Sequence, residues 1–333
     1  MGNAPDHRTA EVDVSRVGAI DWDTIQPTYE APGARDAVPD MPPIPDVTTP
    51  PPGESKDCWT WRHDDWAWQP PIEELPPPRQ EVVTEENPLE VDVFYSMRSP
   101  YSYLSLFRYA YLHSTFNVDV TIKVIFPVAA RTRHESGHAG SGRWYFYGYS
   151  VMDMPRTGQY EGIPFRYANP DPILEDVRPQ PDATMAVAPM EKQPYITWLT
   201  RLGAAALLEG KTLEYCLAVS PLIWGARTPL GEWPLHVEAA VNSTGMDYSA
   251  IIEDIQANPQ KYDDVWLKNQ DEFQTTGQGG VPTASFNGEP FFGQDRFDQL
   301  FWRLRQNNLT VRKERREPFV ARPLRWPSSS GGE

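Results

Sequence analysis

The sequence predicts an α/β protein in which a β-α-β unit and a later β-β-α unit flank a long helical insertion, preceded by a Pro/Trp-rich irregular extension. Three observations predict this. The run VDVFY alternates apolar and polar residues and then passes through Ser99-Pro100 into helical periodicity. The stretch from about Tyr195 to Asn269 has a helical pattern with candidate stops at Gly210 and Gly245. Finally, Asn287-Gly288 separates two short apolar runs just ahead of an amphipathic segment.

The elements follow in order. Val91, Val93 and Tyr95 alternate with Asp92, Phe94 and Ser96, the period of a strand. From Ser99 the period changes, and Leu104, Phe107 and Tyr111 form a helical stripe widened by Tyr103, Leu106 and Ala110. Ser99 suits an N-cap and Pro100 the first helical position, so free backbone donors and partial positive charge gather at one hydroxyl. Val118, Val120, Ile122 and Val124 mark a second strand. A strand from Thr283, the Asn-Gly turn, a strand through Phe291 and a helix striped by Phe297, Leu300, Phe301 and Leu304 complete the order.

Composition narrows the function. The chain has 333 residues, 40% hydrophobic, enough for one large core or two smaller ones. A net charge of -16 argues against a nucleic-acid surface, and the one basic run, Arg312 to Arg316, is diluted by Glu314 and Glu317. Cys58 and Cys216 lie far apart and outside any CxxC pair, which excludes a disulfide framework and a redox dithiol. With no apolar signal-peptide core and no run of about 18 apolar residues, the expected location is the cytoplasm, away from membranes. In the proline-rich extension, DCWTWRHDDWAWQPP carries Trp59, Trp61, Trp66 and Trp68, so this arm is expected to dock on its own domain, a dimer mate or another protein.

Four stretches, FYSMRSPYSYL, VMDMPRTGQYEGIPFRY, SPLIWGART and GGVPT with NGEPFFGQDRFDQL, occur in an order and spacing that resemble the 2-hydroxychromene-2-carboxylate isomerase family and the related kappa-class glutathione transferases. These belong to the DsbA-type thioredoxin folds. The resemblance runs from about Val91 to Arg305. It implies a thioredoxin-like fold with an inserted all-helical domain: 89–149 and 277–310 as the thioredoxin-like domain, 150–276 inserted, 1–88 an arm and 311–333 a tail. It also implies glutathione as cofactor, a homodimer, and an aromatic or enone small molecule as substrate. Ser99 then stands where thioredoxin-like oxidoreductases carry a nucleophilic cysteine, and it hydrogen-bonds the glutathione sulfur. The same resemblance makes Pro282 cis, pairs the Val281 backbone with the peptide-like cofactor, and gives the γ-glutamyl end to Gln294 and Asp295. A carboxylate at Asp295 can also cap the last helix and bind an ammonium group. Tyr101, Trp224 and His138, in SGHAG where the family has GNxPP, are the substrate-pocket residues. Ser96, where the family usually has aspartate, and Arg98 are departures from the pattern.

Competing readings stand beside these. Ser99 by itself is accounted for as a plain N-cap. Tyr103 reads as core, Trp224 also as packing between helices, and Arg156 and Tyr160 as structural parts of their motif. His134-Glu135-Ser136-Gly137-His138 fits H-E-x-x-H, but the glycines in and after it argue for a loop, so no metal is expected. The expected activity is a glutathione-dependent isomerase of an aromatic or conjugated carbonyl compound. The alternatives are a kappa-like glutathione transferase, or a non-catalytic thioredoxin-fold subunit docking partners through its arm.

Overall fold

The computed structural model describes residues 77–127, 142–168, 171–173, 175–176, 186–187, 193–225, 233–318, 320, 322–323 and 326. The tryptophan-rich segment of the arm and the HESGH sequence lie outside them.

The domain opens with β1 (Leu89–Tyr95), α1 (Pro100–Thr115) and β2 (Val118–Val124). β1 and β2 run parallel, with Leu89 opposite Val118 and Tyr95 opposite Val124. The parallel pair needs a crossover, and α1 supplies it. Next come α2 (Gly142–Glu161), a two-residue pair β3 (Glu175–Asp176) and β4 (Ala186–Val187), and five helices. These are α3 (Pro194–Leu208), α4 (Thr212–Trp224), α5 (Trp233–Ser243), α6 (Tyr248–Ala257) and α7 (Pro259–Thr275). β5 (Thr283–Phe286), β6 (Glu289–Phe292), a 3₁₀ turn (Gln294–Arg296) and α8 (Phe297–Gln306) close the order. The four-stranded sheet reads β2-β1-β5-β6, with β5 antiparallel to both neighbours. This is the thioredoxin-like order expected from the sequence, with helices between β2 and β5.

Local chemistry sets the boundaries. Asn287 and Gly288 both adopt positive φ, 51° and 81°, the left-handed pair that a tight hairpin requires. Gly210 and Gly245 end helices at φ 69° and 78°, where a Cβ would be strained. α1 is buried along most of its length, including Tyr103, Leu104, Leu106, Tyr109 and Leu112. Its buried face also carries polar groups, some paired and some not. His113 Nδ1 accepts from the Val120 amide at 3.1 Å. A smaller apolar cluster of Phe94, Ile125 and Phe273 lies apart from the main core, and Val281 packs against it.

Segments outside the motif-bearing stretch also pack on this core. Val83 is buried, and Thr310 Oγ1 donates to its carbonyl at 2.7 Å. Arg312 buries its guanidinium, whose Nε donates to the His113 carbonyl at 3.1 Å and whose Nη2 pairs with Asp119 at 3.2 Å. Trp326 inserts among Tyr111, Phe116, Phe297 and Phe301, with ring centroids 4.6, 5.7, 5.3 and 5.2 Å away. It joins α1 to α8 by ring contacts, each adding about 0.5–1.5 kcal/mol beyond area burial.

Burial pushes the His113 imidazole down to about 4 from its ordinary 6.5, so it is neutral in the folded chain at pH 7. The unfolded chain therefore binds the extra proton first, and stability falls as pH drops from about 6.5 toward 4. The shift corresponds to about 3 kcal/mol at the bottom of that window. In denaturant titrations across this range, His113→Asn, whose Oδ1 can replace Nδ1 as acceptor, is expected to lose that part of the pH dependence.

Candidate functional site

β1 delivers the chain to a tight turn, in which the Ser99 amide donates to the Ser96 carbonyl at 2.9 Å. Ser99 then caps α1 in extended conformation, φ -94° and ψ 114°. Its Oγ accepts from the Ser102 amide at 3.2 Å, as an N-cap does. The hydroxyl also donates to the Val281 carbonyl at 3.2 Å, across 182 residues of sequence. The Val281-Pro282 bond is cis. The first turn of α1 holds no acidic residue, so the positive end of the helix stays uncompensated from within and favours an anion beside Ser99.

Pro282 extends the site to a third segment. Its carbonyl accepts from the Gly293 amide at 2.8 Å, which sets Gln294 and Asp295 beside the cis bond. Gly293 has φ 99°, a backbone conformation that L side chains rarely adopt, so glycine suits this approach. Gln294 is held through its carbonyl, which accepts from Arg108 Nη2 at 2.5 Å. Among the described residues the Gln294 amide NH2 has no partner. Asp295 is exposed and pairs with Arg296 at 2.7 Å. The capping role expected for Asp295 is not what the structure contains: α8 begins without a side-chain cap. Its carboxylate is drawn instead to the adjacent guanidinium. An unpartnered amide donor next to an exposed carboxylate complements a group that carries both a carboxylate and an ammonium.

Sequence reasoning missed the residues that hold these parts. Arg108 is buried in α1, pairs with buried Glu161 at 3.7 Å and lies 5.4 Å from the centre of the Phe297 ring. An arginine one turn after Leu104, inside the apolar stripe, was the available signal. Tyr101 donates to Asp153 Oδ2 at 2.9 Å, and Tyr149 donates to the other oxygen at 3.1 Å. Burial, then the bond to Asp153, pushes the Tyr101 phenol up to about 12, so it stays a neutral donor. Arg98, beside the cap, forks onto Asp171 with bonds of 3.2 and 2.9 Å. Ser96 and Ser102 are buried with hydroxyls that make no hydrogen bond.

Trp224, at the end of α4, is buried. Its Nε1 donates to the Met97 carbonyl at 2.9 Å, and its ring stacks on Phe165 at 6.0 Å and 7°. It braces the turn that presents Ser99 from behind. The motif around residues 151–167 serves the same support. A Cβ on Gly158 would meet Phe165 Cβ at 2.7 Å, and the Pro164 carbonyl accepts from Tyr103 Oη at 2.7 Å. Arg156 and Tyr160 of that motif are exposed. Buried Tyr103 is core, as expected. His138 lies outside the described residues. Among the described residues, no cluster of three or more His, Cys, Asp or Glu could hold a metal, and no helix is long and apolar enough to cross a membrane.

A family model described as DSBA-like thioredoxin domain matches residues 90–305. Among solved structures similar to the chain is a 2-hydroxychromene-2-carboxylate isomerase, 22% identical over 66% of this chain and 98% of that one, with TM-score 0.48. A probable DsbA oxidoreductase from Streptomyces coelicolor is 15% identical over 65% and 90%, with TM-score 0.43. The cytosolic disulfide reductase DsbM from Pseudomonas aeruginosa is 17% identical over 65% and 99%, with TM-score 0.39, and a structure of it with GSH also matches. At these identities the likeness is one of fold. No curated protein matches the sequence.

Trp224→Phe keeps the stack on Phe165 and removes the donor to Met97, leaving a buried carbonyl unpaired. Urea denaturation is expected to register a loss of about 1–3 kcal/mol. A loss below a few tenths would mean that water or another donor already serves that carbonyl.

Proposed function

Because this chain belongs to the DSBA-like thioredoxin domain family, we propose that its Ser99 pole binds glutathione and isomerises an aromatic or conjugated carbonyl compound. The observation that carries this reading is the Ser99 hydroxyl, at the start of α1 and bonded to the Val281 carbonyl ahead of cis-Pro282. The position suited to a low-pKa cysteine thiolate holds a hydroxyl instead. The donor set fits the tripeptide: the Val281 backbone can pair with its central peptide, the Gln294 NH2 can take the γ-glutamyl carboxylate, and Asp295 its ammonium. Glutathione supplies a thiolate, a nucleophile that adds reversibly to a conjugated carbon and lets the former double bond turn before it leaves.

The chain's own residues do the rest. The Ser99 hydroxyl and the positive end of α1 favour the charged form of a thiol, lowering its pKa. Tyr101, two residues along the chain, kept neutral and oriented by Asp153, is the residue this reading assigns to the substrate side. Trp224 fixes the backbone that presents Ser99. The four sequence motifs are common to both families, and a kappa-like glutathione transferase is the second reading. On either reading the substrate is a small molecule, the active form a homodimer and the location the cytoplasm.

Calorimetric titration with reduced glutathione is expected to give saturable binding that rises in affinity through the thiol's pKa. Ser99→Ala is expected to weaken binding of the thiolate form by about tenfold, equivalent to about 1.4 kcal/mol, and to flatten its pH dependence. With an enone substrate, full recovery of free glutathione after turnover marks an isomerase, and its stoichiometric consumption a transferase. Absence of binding to both proteins would sink the glutathione site.

A further inference from the structure

A second site lies where α3, α6 and α7 meet past the end of β2. A cavity of about 760 Å³ opens there, within the size range of small-molecule sites. Its walls include Phe126, Trp198, Tyr248 and Trp266, with Arg201 and Asp263 at one side. None of the side chains around Ser99 lines it.

The polar wall is built and fixed. Arg201 donates from Nε and Nη2 to the two oxygens of Asp263 at 2.8 and 2.6 Å, and Trp266 Nε1 donates to Oδ1 at 2.9 Å. Three donors on one carboxylate leave Asp263 little capacity for a ligand, and its charge offsets that of the guanidinium. Among the described residues Arg201 Nη1 has no hydrogen-bond partner, and the side chain is 26% exposed. The wall thus offers a directed N–H donor with little net field. The same lining carries aromatic rings, the Trp266 ring centroid lying 5.3 Å from that of Phe126 at a 36° tilt. Flat faces reward a flat ligand, and one fixed donor rewards one acceptor on its rim.

We infer that this cavity is a binding site, separate from Ser99, for an uncharged planar aromatic molecule bearing a carbonyl, which stacks among the aromatic walls and accepts a hydrogen bond from Arg201 Nη1. An aromatic carboxylate gains less here, because Asp263 lies behind the donor. The site does not depend on the activity proposed for Ser99.

The test is equilibrium dialysis of the full chain with coumarin, a neutral aromatic lactone, and with 2-naphthoate as the charged counterpart. Expected are one saturable coumarin site per chain and weaker naphthoate binding. Coumarin affinity should fall by about tenfold or more in Trp198→Ala and in Arg201→Met. It should be unchanged in Ser99→Ala and in the presence of S-methylglutathione. Arg201→Met leaves Asp263 unpaired and is open to misfolding, so Trp198→Ala, checked by circular dichroism, carries the decision. No saturable binding by the unaltered chain, binding retained in folded Trp198→Ala, loss in Ser99→Ala, displacement by S-methylglutathione, or tighter binding of naphthoate overturns the proposal.

Discussion

The bond from the Ser99 hydroxyl to the Val281 carbonyl is the constraint on which the candidate site depends. It ties the start of α1 to the loop entering β5, segments separated by 182 residues. The Pro282 carbonyl passes the connection to Gly293 and so to Gln294. Three stretches of chain meet at one helix end because β1 lies between β2 and β5, with the helix following β1 directly. The bond also uses groups that the proposed ligand would need. Exchanging a hydroxyl–carbonyl bond for one to a charged sulfur is favourable, since charge-assisted bonds are roughly twice as strong as neutral ones. The Val281 carbonyl then needs a new donor, and a peptide N–H supplies one. A ligand offering an anion and a peptide together satisfies both ends, whereas a bare anion satisfies only one.

Behind this junction the inserted helices act as scaffold. α4 contributes Trp224 to the Met97 carbonyl, and α2 contributes Glu161 to Arg108 and Asp153 to Tyr101. A buried ion pair is a weak source of stability, because desolvation cancels much of its attraction. Its value here is positional. Arg108 fixes the orientation of the Gln294 amide through its carbonyl, and an apolar residue at 108 would leave both the amide and Glu161 to reorganise.

Features set by neighbours in sequence could be read from the sequence. The cap at Ser99-Pro100, the Asn287-Gly288 hairpin and the helix ends at Gly210 and Gly245 each follow from local backbone chemistry. The order of elements along the chain followed once the periods were assigned. What could not be read depends on partners far along the chain. Arg98 stood out as an odd charge, yet its meaning lies in Asp171, 73 positions away. Trp224 could be placed as pocket or packing only once the Met97 carbonyl was located. The aromatic cavity draws on α3, α6 and α7, none of which has a motif that marks its facing residues, and Trp326 lay in a tail with no periodicity at all.

The contacts of the tail also bear on how the chain matures. The inner end of α1 is completed by Arg312, which reaches back 199 residues to His113, and its outer aromatic face by Trp326. Synthesis proceeds from the N-terminus at roughly 5–20 residues per second. α1 is therefore made early yet spends some 10–40 s on that estimate without the groups that finish its surface. During this interval, the Tyr111 and Phe116 rings and the backbone acceptors at the end of the helix are open to solvent or to a chaperone. The last described residues thus act as a closing clasp, and the Ser99 pole reaches its final setting only after nearly the whole chain has emerged.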